Sequence, residues 1–224
     1  MWVKVCANTS LEDARMAAEA GANAVGFVFA ESVRRVTVAQ VRAITPHLPE
    51  NIEKIGIFVD ASLNDLIAAI RDCGLTGVQF HSGCESDVAA RLRERFPPQR
   101  LRILNVIHFQ RGVAMEMRVA QADQAVDAVV VDSRTAKLVG GTGIRFDWQA
   151  ARGSFAGSPL RLVVAGGLNP ENVGEAIAAL RPWGVDVASG VEAAPGKKDA
   201  ARVRAFVENA RIAAHKLGPA AVEA

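Results

Sequence analysis

One recurrence limits the folds open to this chain more than any other feature. Short β-branched, apolar runs return along its whole length: "WVKVC" (2–6), "AVGFVF" (24–29), "KIGIFV" (54–59), "GVQFH" (77–81), "LRILNVIHF" (101–109), "AVVVD" (128–132), "LRLVVAG" (160–166) and "GVDVAS" (184–189). They are apolar on both faces rather than alternating. A strand of that kind is covered on both sides, as parallel strands flanked by helices are. The stretches between supply the helices. "SLEDARMAAEAG" (10–21), "SLNDLIAAIRDCG" (62–74), "ESDVAARLRERF" (85–96) and "NPENVGEAIAALRP" (169–182) carry apolar residues at helical spacing. Ser10 followed by Asp13 predicts a capping box with Asp in place of the usual Glu. Gly21 and Gly74 stand where helix C-caps belong.

Eight strand–helix units predict a single-domain α/β fold, a (β/α)8 TIM barrel over residues 1–216, with 217–224 as a frayed tail. An open doubly wound sheet usually has fewer strands. Its dinucleotide-binding form would show GxGxxG after the first strand, where this chain has "ANTS". The net charge of +2 is spread along the chain and makes no basic stripe for nucleic acid. No apolar run is long enough to span a bilayer, and the N-terminus lacks a signal-peptide core. The expectation is a cytoplasmic protein with no nucleic-acid or membrane partner. Cys6, Cys73 and Cys84 form no CxxC pair and no disulfide framework. His81 and Cys84 are too few for a closed metal site, so no metal is expected.

On a barrel, chemistry gathers at the C-terminal strand ends. Cys6 ends the first strand, His81 the fourth and Asp132 the sixth, while Arg34 and Arg35 follow the second. Glycines and small hydroxyl residues follow strands six, seven and eight, at 140–143, "AGGLN" (165–169) and "ASGVE" (188–192). Glycine lets backbone N–H groups approach an oxyanion, and a short helix start adds a favourable dipole. Turn chemistry alone explains any one such loop, but three on one rim predict a phosphate site. A thiol and a carboxylate facing each other across that mouth have the makings of a general acid–base pair. Taken singly, a cysteine is more often inert packing and a strand-end aspartate is often only a cap.

The stretches "VKVCANTSLEDARMAAEAGANAVGFVF", "SVRRVT", "VQFHSGCES", "VVVDS", "GGTGIRFDW", "VVAGGLNPENV" and "GVDVASGVEAAPGKKD" span residues 3–199. In this combination and order they resemble the phosphoribosylanthranilate isomerases of tryptophan biosynthesis. The resemblance implies a cofactor-free Amadori rearrangement of a small phosphorylated substrate by a monomer or homodimer. It implies Asp132 as general acid and Cys6 as general base, the latter with a thiol pKa lowered or matched by its surroundings. It places Arg34 on the anthranilate carboxylate, His81 and Asp186 along the site, and Gly141, Gly143, Gly167, Ser189 and Gly190 around the phosphate. Three residues depart from the family's pattern. Ala7 stands where it usually has Gly, "SVR" replaces Ser-Pro-Arg, and Ser82 replaces the Gly after His81. The segment "RTAKLV" (134–139) lengthens the loop before GGTG. The alternatives are a histidine-pathway or bifunctional sugar-phosphate isomerase and a non-catalytic phosphate-binding barrel. The first uses an aspartate at the end of strand one, where this chain has Cys6. The second is disfavoured by the presence of both Cys6 and Asp132.

Overall fold

The computed structural model describes residues 1–81, 86–108, 125–132, 148 and 160–218. Eight parallel strands close into a barrel: β1 (Trp2–Val5), β2 (Ala24–Val28), β3 (Glu53–Phe58), β4 (Gly77–Phe80), β5 (Arg102–His108), β6 (Ala128–Asp132), β7 (Arg161–Ala165) and β8 (Gly184–Val187). Each strand pairs with the next. Closure comes from β8 pairing with β1, from Trp2↔Gly184 to Val5↔Val187. All eight expected runs are strands, with ends within two residues of those read from sequence.

Helices α1 (Leu11–Glu19), α2 (Val38–Ile44), α3 (Leu63–Asp72), α4 (Ser86–Arg95), α5 (Val173–Leu180) and α6 (Ala200–Lys216) cover the outside. A short antiparallel ribbon, β9 (Glu192–Ala194) and β10 (Lys197–Lys198), follows β8. The double apolar face of the strands has a direct structural cause. Val5, Phe27, Val78 and Val185 point outward and pack with Leu66, Val203 and Phe206 of the helices. Trp2, Ile55, Leu104, Val130 and Val163 point inward and fill the barrel. Each such large apolar side chain contributes roughly 1.5–3 kcal/mol on burial.

Helix ends follow their local chemistry. After α1 the Gly21 N–H donates to Ala18 O at 2.9 Å and the Ala22 N–H to Ala17 O at 3.0 Å. This double bond pattern needs a left-handed residue, and Gly21 supplies it at φ +89°. Gly74 does the same after α3 at φ +58°. The expected capping box at Ser10 is only half formed. The Ser10 hydroxyl accepts from the Asp13 N–H, but the Asp13 carboxylate accepts instead from the Lys198 N–H, 3.1 Å away. Tertiary contact has redirected the second half, tying α1 to the ribbon. A complete box stands at Thr37 and Gln40, opening α2. At the other end, Leu217 caps α6 and packs on the core. Residues 219–224, most of the expected tail, lie outside the described residues.

Candidate active site

The C-terminal mouth of the barrel holds a cavity of about 450 Å³. Cys6, Arg34, His81, His108, Asp132, Gly167, Asp186 and Ser189 are among the residues that line it. Side-chain alternation explains why they meet. On β1, Trp2, Lys4 and Cys6 share the inner face. On β5 and β6 the last inner positions are His108 and Asp132, which are register partners. Asp132 is buried at 3% exposure, beside Ala165 of β7.

Cys6 sits just past β1, where its N–H donates to Val187 O at 2.7 Å. The chain then turns at Ala7, whose φ of +61° is left-handed. A residue without a Cβ adopts that conformation without strain. This accounts for glycine being the usual residue there, and for the cost of alanine. The buried Asn8 clamps the turn by donating through Nδ2 to Val5 O at 2.8 Å and Gly26 O at 3.2 Å. The expectation of a lowered Cys6 thiol pKa is overturned. Burial pushes the thiol up and the Asp186 carboxylate adds to this. Together they outweigh the ammoniums of Lys4 and Lys198, which pull it down.

Arg34 reaches the cavity from the loop after β2, and it is already paired. Its Nε lies 2.8 and 3.1 Å from the two Glu192 carboxylate oxygens, and its Nη2 lies 2.6 Å from Oε2. Glu192 also accepts from Lys198 Nζ at 3.2 Å. Burial would raise the Glu192 carboxyl, but its bonds to Arg34 and the charge of Lys198 hold it below the ordinary range. Burial pushes Lys198 below the usual lysine range despite Glu192. In the departing "SVR" stretch, Val33 is 80% exposed and the Ser32 hydroxyl accepts from the Arg34 N–H at 3.1 Å. That local bond supplies a turn where proline would otherwise fix one.

His81 lies just beyond β4, and its ring meets His108 edge-on with centroids 5.3 Å apart. His108 Nε2 lies 3.2 Å from His81 O. Asp186 belongs to a buried network, described below with Lys4. The loops after β7 and β8 approach each other closely. A Cβ at Gly190 would lie 1.9 Å from Leu168 O, so only glycine fits. Gly166 and Gly167 are left-handed, at φ +82° and +66°. Asn172 Nδ2 donates to Gly167 O at 2.9 Å, fixing this turn against α5. Ser189 and Gly190 open a short 3-10 turn, Ser189–Val191. The first N–H groups of such a turn have no partner within it.

Gly141, Gly143, the 134–139 segment, Ser82 and Cys84 lie outside the described residues. Cys73 is buried in the core at the end of α3. Among the described residues, no cluster of three or more His, Cys, Asp or Glu side chains is placed to hold a metal. No helix among them is long and apolar enough to cross a membrane.

The structure also brings in residues that the sequence did not single out: Lys4, Gln79, His108, Glu192 and Lys198. A signal for two of them was present. Lys4 lies two before Cys6, and Gln79 two before His81, so in strands they share the inner face.

The model of the N-(5′-phosphoribosyl)anthranilate (PRA) isomerase family matches residues 3–209. The chain belongs to that family. The N-(5′-phosphoribosyl)anthranilate isomerase of Geobacter sp. (strain M21) is 42% identical over 213 residues, covering 93% of this chain and 97% of the relative. That of Bacillus cereus is 37% identical over 209 residues, covering 93% and 98%. The phosphoribosyl anthranilate isomerase structure from Thermotoga maritima matches at TM-score 0.84 and 33% identity, covering 94% of this chain and 98% of that one. Another matching structure holds reduced 1-(o-carboxyphenylamino)-1-deoxyribulose 5-phosphate, at TM-score 0.78, 32% identity and coverage of 94% and 98%. A 3-hexulose-6-phosphate synthase from Salmonella typhimurium, at 16% identity and TM-score 0.70, shares the fold alone. As a PRA isomerase family member, the chain is an isomerase of tryptophan biosynthesis.

Proposed function

We propose that Asp132 and Cys6 carry out the Amadori rearrangement of N-(5-phosphoribosyl)anthranilate as general acid and general base. The observation that carries this reading is their meeting in one cavity. Cys6 lines it from the end of β1 and Asp132 from the end of β6, three strands away around the barrel. Its volume suits a small phosphorylated ligand.

Asp132 gives a proton to the ribose ring oxygen. The bond from that oxygen to C1′ breaks, and the anthranilate nitrogen takes up the resulting positive charge as a Schiff base. The Cys6 thiolate then removes the C2′ proton, leaving an enolamine that tautomerises to the ketone. The product is 1-(2-carboxyphenylamino)-1-deoxyribulose 5-phosphate. No electrons leave or enter the substrate, so the reaction calls for no redox partner.

Arg34 holds the anthranilate carboxylate with the edge of its guanidinium that Glu192 leaves over, Nη1 and the second N–H of Nη2. The two bonds to Glu192 fix the plane of that fork. His81 and Asp186 complete the walls. The phosphate lies against the backbone of Gly167, Ser189 and Gly190, where the loops after β7 and β8 meet and a Cβ at Gly190 would collide with Leu168 O. The family resemblance assigns Gly141 and Gly143, which lie outside the described residues, to the same phosphate. The enzyme works in the cytoplasm as a monomer or homodimer.

Loss of substrate fluorescence tests this reading. Cys6→Ala and Asp132→Ala should each lower turnover by about 100-fold or more, the usual worth of a positioned acid or base. Each variant should keep its melting temperature within a few degrees. Near-wild-type turnover in either would sink the assignment. Because burial raises the Cys6 thiol, kcat/KM of the wild type should climb as pH rises above neutrality.

A further inference from the structure

Beneath Cys6 lies a charged pair that the acid–base chemistry does not use. Lys4 is fully buried inside the barrel. Its ammonium donates to Asp186 Oδ2 at 2.6 Å and to Gln79 Oε1 at 2.7 Å. A buried ion pair is weak grounds for stability, since apolar residues of similar volume often serve as well or better. Its position is more informative. Lys4 and Cys6 are two apart on the inner face of one strand, and both press on the bare face of Gly26. A Cβ built at Gly26 would lie 2.7 Å from Cys6 Sγ and 3.0 Å from Lys4 Cε. The missing side chain lets the lysine stem and the thiol share one space.

We propose that Lys4 is a positioning residue for the isomerisation: its ammonium, fixed by Asp186 and Gln79, supplies the counter-charge of the Cys6 thiolate. The proposal rests on the reading of Cys6 as the base. Four charged groups act on Cys6 or feel its charge: Lys4 from β1, Asp186 from β8, Lys198 from β10 and Arg34 from the loop after β2. His81, His108 and Asp132 line the same cavity. From β2 and β3, Gly26 and Ile57 face the thiol without charge. Of the two ammoniums that favour the thiolate, Lys4 acts more strongly. Asp186 opposes it on Cys6 but keeps Lys4 itself charged. Burial would lower Lys4, and the Asp186 carboxylate and Cys6 more than reverse that.

The two members of the pair have direct effects of opposite sign on the thiol, and Lys4→Met is the variant that removes the counter-charge alone. Iodoacetamide alkylation is followed across pH, and the Cys6 peptide is quantified by mass spectrometry so that Cys73 and Cys84 do not interfere. Lys4→Met should raise the alkylation midpoint by about one unit, a tenfold loss of thiolate below it. Its kcat should fall about tenfold at neutral pH while KM changes little. Asp186→Asn removes both a charge that opposes the thiolate and the carboxylate that keeps Lys4 charged, so it serves only as the reference for the double variant. Lys4→Met alone leaves Asp186 buried without its partner. If that variant does not fold, the double variant is compared with Asp186→Asn alone, and its midpoint should be the higher. An unchanged midpoint in Lys4→Met, or equal midpoints in the second comparison, would overturn the proposal. Retained turnover in Cys6→Ala would instead remove the reading of Cys6 as base, while the alkylation midpoints would still report on Lys4.

Discussion

The two ends of the barrel are both rich in charge and aromatic or imidazole rings, yet they are built for different work. At the N-terminal end, Trp2 and Trp183 stack with centroids 5.2 Å apart. Arg102 and Arg161 lie over Trp183 at 5.2 and 5.1 Å. Arg102 also forks onto Glu53 at 2.7 and 2.9 Å. Large side chains close this end, and its ion pair keeps some contact with water, at 22% and 25% side-chain exposure. At the C-terminal end, Ala, Gly and Val leave a cavity open, and the Lys4–Asp186 pair is nearly dry, at 0% and 8%. A pair in water is worth little and is easily replaced, whereas removing one partner of a dry pair strands a charge. The closed end is therefore tolerant packing, and the cavity with its dry charged pair stands at the other end, where barrel enzymes generally place their chemistry.

Substitutions at the mouth should cost function, and those at the closed end should cost only a little stability. After the acid and base themselves, the largest effect is expected at Gly190. A Cβ there collides with Leu168 O, so Gly190→Ala must push apart the two loops assigned to the phosphate. We expect kcat/KM to fall tenfold or more, mostly through KM, and stability to drop by about 1–3 kcal/mol. Steady-state kinetics and a thermal melt check both. An unchanged KM would remove these loops from the phosphate site.

Next comes Glu192→Gln, which keeps the shape of the clamp on Arg34 and removes its charge. KM should rise by about tenfold, the value of one charge-assisted bond, with kcat less affected. The same variant tests a pH effect. The folded-state carboxyl of Glu192 is lowered, so its stabilisation is present above the ordinary carboxylate range and is lost as pH falls through and below it. Acid melts of Glu192→Gln should therefore lose less stability between neutral and acid pH than the wild type does.

Ala7→Gly should act the other way and stabilise. It relieves a left-handed alanine at some cost in unfolded-chain entropy, for a net gain of about 0.5–1 kcal/mol. A melting temperature raised by a few degrees is the expected reading, and a lowered one would contradict the strain argument. The smallest effect belongs to the closed end. Arg161→Ala removes one cation from above Trp183, worth about 0.5–1 kcal/mol, and should leave turnover unchanged. A large fall in turnover there would blur the division between the two ends.

The sequence by itself determined the barrel and most of the site's cast. Continuous apolar runs are stable only with both faces covered, so they called for parallel strands under helices. Cys6, His81 and Asp132 could be placed on the mouth because strand direction puts successive strand ends on one rim. What only the tertiary structure decided are pairings between residues far apart in the chain. Arg34 meets Glu192 and Asp13 meets the backbone of Lys198. Lys4 meets Asp186 because β8 closes onto β1 in one register. The Cys6 thiol followed the same rule: its strand-end position was legible, but its charged neighbours Lys4 and Lys198 and the sign of its shift depended on how the closed barrel brought them together and shut out water.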